Sequence, residues 1–167
     1  MHDARRVANF LLDRARQRGM EVTSLTLLKV LYFAHGWHLA QYGRPLVAQP
    51  FEAWKFGPVN RVVYDQLKGI GKNPIRQRLK TFDVSTCGYV DAPTDFDAET
   101  SRFLNNMFDH YARFDAFTLV DLTHEPGSPW DAIWKAAEER AVPGMEIPDK
   151  LIAEWFREES QRMKKMQ

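Results

Sequence analysis

The chain has 167 residues, 44% hydrophobic and 27% charged, the profile of one folded globular domain rather than a disordered chain. Lys and Arg (23) nearly balance Asp and Glu (22), leaving a formal charge of +1, which removes the broad electrostatic case for a dedicated nucleic-acid or membrane-surface binder. A single cysteine, Cys87, excludes an internal disulfide, a Cys-based zinc site and a CxxC redox pair, and it fits a reducing, cytoplasmic setting.

The N-terminal segment is not expected to be a signal peptide, because Asp13 and Arg14 break its first apolar patch. No apolar run approaches the ~18–20 residues of a membrane span. Residues 3–18 instead read as an amphipathic helix. Ala4, Val7, Ala8, Leu11 and Ala15 recur at helical spacing, and Gly19 stops it. Residues 24–41 read as a second helix, capped by Thr23 or Ser24 and ended by Tyr42-Gly43. Its apolar residues cover most of the circumference, which predicts a helix buried on most sides at the centre of the fold.

Between residues 44 and 57 the aromatic content and short length favour a strand or hairpin. Val59, Val62, Val63 and Leu67 then predict a short helix begun by Pro58. Residues 69–96 are irregular, with short strands expected within 75–83 and 88–90. A third long helix is expected over 97–114, with Phe103, Met107, Tyr111 and Phe114 on its apolar stripe. A short helix over 116–124 follows. Ser128-Pro-Trp-Asp131 is a strong helix start, with a capping serine, proline at the first helical position and a carboxylate at the third. Pro148 opens a final helix carrying Leu151, Ile152, Trp155 and Phe156, whose end from Glu158 to Gln167 turns polar and is expected to fray. The reading is a mainly α (α+β) fold: a single compact helical domain around a buried central helix, with a small β-hairpin or sheet inserted after the second helix.

No catalytic set emerges. His35 and His38 stand at i and i+3, a spacing that can share a metal ion, yet no third ligand is spaced against them. The preferred reading is that both pack or hydrogen-bond beside aromatics. Gly69-Ile-Gly-Lys-Asn-Pro74 fits neither the Walker loop nor the dinucleotide fingerprint. Helices one and two resemble a helix-turn-helix in outline, but the second is too apolar to read base edges. The run Arg76-Gln-Arg78-Leu-Lys80 reads as solvated surface charge. No local signature sets a histidine against Cys87.

Four segments carry a resemblance. They are Leu27 to His38, Gly43-Arg-Pro-Leu46, Phe51-Glu-Ala-Trp-Lys-Phe-Gly-Pro-Val59 with Tyr64 after it, and Leu122-Thr-His124 with Pro129-Trp130. In this order they resemble the Panacea-domain family of SocA-like antitoxins, to which the phage-associated protein GepA is also related. The resemblance covers about residues 3–156, so the expected division is a Panacea domain over 1–156 and a polar tail over 157–167. It implies no enzymatic activity, no cofactor and no metal. It implies a cognate small protein toxin, similar to SocB, and an adaptor role that presents this toxin to the protease ClpXP. Masking of the toxin without a protease, and DNA-binding regulation of its own operon, remain the alternatives; no membrane partner is expected.

An adaptor needs one surface for its toxin and another for the protease. Toxin surfaces favour aromatic and basic anchors, which points to Trp54, Lys55, Phe56 and Tyr64. The tail residues Arg162, Met163, Lys164, Lys165 and Met166 are the candidate protease contact.

Overall fold

A computed structural model describes residues 1–140 and 142–166. Two helices open the chain, α1 (Ala4–Gln17) and α2 (Ser24–Tyr42). Strands β1 (Phe51–Trp54) and β2 (Gly57–Asn60) lead into α3 (Arg61–Leu67), and β3 (Lys80–Asp83) and β4 (Gly88–Asp91) into α4 (Ala98–Tyr111). Helices α5 (Ala116–Thr123) and α6 (Pro129–Glu139), a 3-10 turn at Pro143–Met145, β5 (Glu146–Ile147) and α7 (Asp149–Lys165) complete it. The mainly helical α+β fold expected from the sequence is what forms.

Local chemistry sets the helix ends. The side chains of Asp3, Thr23, Asp97, Asp115 and Ser128 each accept a backbone N–H of the helix they precede, satisfying donors that lack an intrahelical partner. Gly43 closes α2 in the left-handed region at φ 67°, where glycine carries no Cβ penalty.

Helix α2 is the axis of the molecule. It touches α1, α3, α4, α5, α7 and β2, and an unbroken run from Leu27 to Gly36 is buried. Tyr32 packs edge-on against Phe33, Phe51 and Phe156, while Phe33 stacks on Tyr111 at 4.2 Å. The closest approach is to α7. A Cβ built on Gly36 would stand 2.2 Å from Phe156 Cε2, so this crossing requires glycine.

The small sheet has the order β2-β1-β5, antiparallel throughout. Pro58 lies inside β2 rather than opening a helix, and α3 starts three residues later than expected, at Arg61. The physical reason is that β2 is an edge strand, where a proline lacking its N–H costs no ladder bond. The two residues of β5 join the sheet from far along the chain.

Strands β3 and β4 form a separate two-stranded ribbon. Asn9 of α1, fully buried, anchors its base. Its amide donates to Leu79 O and Ala92 O, both at 2.9 Å, and accepts Leu79 N–H at 2.8 Å. The basic run beside the ribbon is neutralised locally: Arg76 pairs with Glu21, Arg78 with Asp13 and Asp91, and Lys80 with Asp91.

The end expected to fray is helical to Lys165, and α7 crosses residue 157 without interruption. A Glu159–Arg162 ion pair at 2.6 Å and Arg162 over the Trp155 ring support these turns, and the basic residues of the last turn favour the negative helix end.

Candidate functional site

Three of the four segments behind the family resemblance meet at one place: α2 itself through Lys29, the β1–β2 hairpin, and the Thr123–Trp130 stretch. At the centre is Lys29, the only Lys, Arg, Asp or Glu in α2 and fully buried. Its ammonium donates to Pro58 O of β2 at 2.8 Å. Burial pushes its pKa down to about 7, because the surrounding protein solvates the charged form poorly.

Above Lys29 the chain makes the β1–β2 turn. Gly57 has φ 91°, and a Cβ there would stand 2.4 Å from Thr123 Oγ1 and 2.9 Å from Lys29 Cε. Both conformation and space therefore demand glycine. The Thr123 hydroxyl donates to Val120 O at 2.7 Å. Ser128 joins α5 to α6: its hydroxyl donates to Thr123 O at 2.9 Å and accepts Asp131 N–H at 3.2 Å.

Trp130 then clamps the hairpin. Its indole N–H donates to Trp54 O at 2.7 Å, while its ring stacks on His124 at 3.7 Å and on Trp134 at 5.1 Å. Burial, reinforced by Lys29, lowers the His124 pKa, so the stacked imidazole is held neutral. Its Nε2 is buried without a hydrogen-bond partner among the described residues.

This scaffold presents the four residues expected to touch the toxin. Trp54 and Tyr64 come together, ring edge against face at 4.7 Å, and the Trp54 indole donates to Glu52 Oε2 at 2.8 Å. Lys55 and Phe56 form the turn, with the ammonium 5.6 Å from the Phe56 ring centre. Phe56 is 56% exposed, whereas Trp54 and Tyr64 are half-buried. The outer tip is thus a small aromatic and cationic knob on a rigid support. Arg162 to Lys165 belong instead to the last turn of α7, and Met166, 87% exposed, caps its end.

The histidines of α2 are committed to packing. Val47 N–H points at His35 Nδ1 at 3.4 Å, which places the ring proton on Nε2, donating to Asp149 Oδ1 at 2.9 Å. His38 Nδ1 donates to Arg44 O at 2.8 Å. The two rings serve different partners and share no ligand. Sequence reasoning missed Lys29 and Thr123. For Lys29 a signal existed, since a lone charge on a helix apolar all round has nowhere to go but the interior.

The family model described as "Antitoxin SocA-like, Panacea domain" matches residues 27–131, which encloses Lys29, the hairpin, Thr123 and Trp130. The chain is similar to Antitoxin SocA of Caulobacter vibrioides (strain NA1000 / CB15N), at 38% identity over 155 residues, covering 93% of this chain and 82% of that protein. No solved structure matches the chain. With both motifs and scaffold accounted for, the chain belongs to the SocA-like antitoxin family with the Panacea domain.

Proposed function

We propose that this protein binds a small SocB-like toxin and works as an adaptor that delivers it to ClpXP. The observation that carries the binding half is the hairpin tip. Lys55 and Phe56 stand outward on a turn whose inner side is fixed by the Lys29–Pro58, Trp130–Trp54 and Ser128–Thr123 bonds. A rigid base under an exposed aromatic is what a binding anchor needs, because little ordering entropy remains to be lost on association. The last turn of α7, with Lys165 and Met166 turned to solvent, is the proposed protease contact.

The test is affinity purification of the tagged protein from its host, with ClpXP held in a trapping, proteolytically inactive form. Recovery of the toxin with the protease supports the adaptor. Recovery of the toxin alone supports masking, and recovery of neither overturns the toxin-binding reading. Phe56→Ala, which removes a ring that is 56% exposed, is expected to weaken toxin binding about tenfold while leaving the thermal midpoint nearly unchanged. Unchanged affinity moves the toxin seat away from the tip.

A further inference from the structure

Helices α2, α4, α5 and α7 leave a groove of about 530 Å³ between them. Its floor is aromatic, made by Phe33, Tyr111 and Phe156, and Trp155 and Met163 rise along one wall. On α7 the lining runs from Trp155 to Lys164, nine helical steps, so the groove is about 13 Å long.

From this groove the geometry points to a second toxin seat, one that takes a short amphipathic helix of the toxin. This inference rests on the antitoxin reading and goes beyond the hairpin tip.

Three observations select a helix as the occupant. Apart from Phe114 and Glu125, the lining residues lie on helices, whose backbone groups are already bonded, and no strand borders the groove, so it offers no strand edge to pair with. An extended peptide would bury N–H and C=O groups with nothing to satisfy them, whereas a helix brings its own bonds. The length accommodates between two and three turns, enough for apolar anchors at i, i+4 and i+7.

The floor offers one directional polar group. Tyr111 OH accepts the Trp37 indole N–H at 2.6 Å. Burial pushes the pKa of this phenol up to about 12, so it keeps its proton and can donate it to a polar side chain on the incoming helix.

Charge sets the direction of that helix. Glu125 lines the groove in the tight turn closed by Ser128 N–H to Glu125 O at 2.9 Å, and Gly127 of that turn lies against the Trp155 ring, which puts this turn at the Trp155 end. Its carboxylate makes no ion pair among the described residues. Lys164 lines the opposite end and is likewise unpaired among them. Glu159, between the two, is already paired with Arg162. The complementary helix is therefore apolar along one face, basic where it meets Glu125 and acidic where it meets Lys164.

The test titrates the cognate toxin, the small protein encoded beside this chain, into the wild-type protein and into Met163→Asp and Glu125→Arg. Both positions lie outside the fully buried core, and circular dichroism with urea midpoints verifies folding. The expected result is at least a tenfold loss of affinity in each variant, with amides of residues 155–164 protected from hydrogen exchange in the wild-type complex. A toxin variant with its helix's basic residue changed to Glu is expected to recover binding to Glu125→Arg. Affinities within twofold of wild type, with no added protection, overturn the groove while leaving the antitoxin reading standing. Failure of the toxin to bind the wild-type protein overturns both. Self-association of the wild-type chain that Met163→Asp abolishes assigns the groove to a second copy and overturns its assignment to the toxin.

Discussion

Lys29 makes its own cost measurable. Its pKa is about 7 in the folded protein and 10.5 when unperturbed. Above about pH 7 the unfolded chain binds more protons at this position than the folded one, so stability rises with pH until the unfolded lysine itself titrates near 10.5. The slope is about 1.4 kcal/mol per pH unit within that window, and below pH 7 the contribution is flat. Urea denaturation from pH 6 to 9.5 is expected to show the rise in the wild type, and Lys29→Met to remove it. Equal slopes in the two proteins would mean that the amine is solvated. Gly36 is the complementary case, set by space. Alanine there gains roughly 1 kcal/mol of helix propensity, but its Cβ would stand 2.2 Å from the Phe156 ring. Overpacking of that kind costs about 1–3 kcal/mol. Gly36→Ala is therefore expected to lower stability by up to about 2 kcal/mol, read from the urea midpoint.

Among the elements, the β3–β4 ribbon depends most on a single side chain. Phe82 and Tyr89 pair on its exposed face at 5.6 Å, and a two-stranded ribbon is marginal alone. Asn9 supplies its tether to the core through three hydrogen bonds to the backbone. Asn9→Ala leaves one N–H and two C=O groups without that partner, at a cost of about 3 kcal/mol. Hydrogen exchange is expected to quicken first in residues 79–92. Uniform loss of protection across the chain would show that the ribbon and the core unfold together. The last turns of α7 differ, since they hold themselves through the local Glu159–Arg162 ion pair and the Arg162–Trp155 contact. Replacing Lys165 and Met166 by Ala is expected to leave stability and toxin affinity unchanged and to slow toxin degradation by ClpXP several-fold. An unchanged degradation rate would place the protease contact elsewhere.

For the whole molecule, the sequence foretold the main helices because each carries a strong signal. Helices α1 and α4 show an apolar stripe, α2 is apolar on all sides, and α6 and α7 begin at Ser128 and Pro148. What it hid is long-range. Pro58 reads as a helix start because a sequence does not state that β2 is an edge strand. The two-residue β5 has no periodicity, and it exists only because β1 offers bonds at Phe51 and Glu52. The helical end of α7 was missed because its support comes from a charge pair and an aromatic–cation contact rather than from an apolar stripe. At the site, Trp54, Lys55, Phe56 and Tyr64 were legible as an aromatic and basic cluster, but Trp54 and Tyr64 are half-buried, packed on each other and against the core. No helix among the described residues is long and apolar enough to cross a membrane.

The crossing of Phe156 over Gly36 also orders events in time. Helix α2, apolar on every side, leaves the ribosome early, while the ring that covers it is added 120 residues later. Until then the face of α2 around Gly36 stays uncovered, an apolar strip of the kind that chaperones and proteases recognise. A chain released after α6 would leave that face permanently open and would be cleared rather than stored. The supply of working antitoxin therefore depends on translation reaching α7. Interrupted synthesis would deplete the protector without any change in its gene.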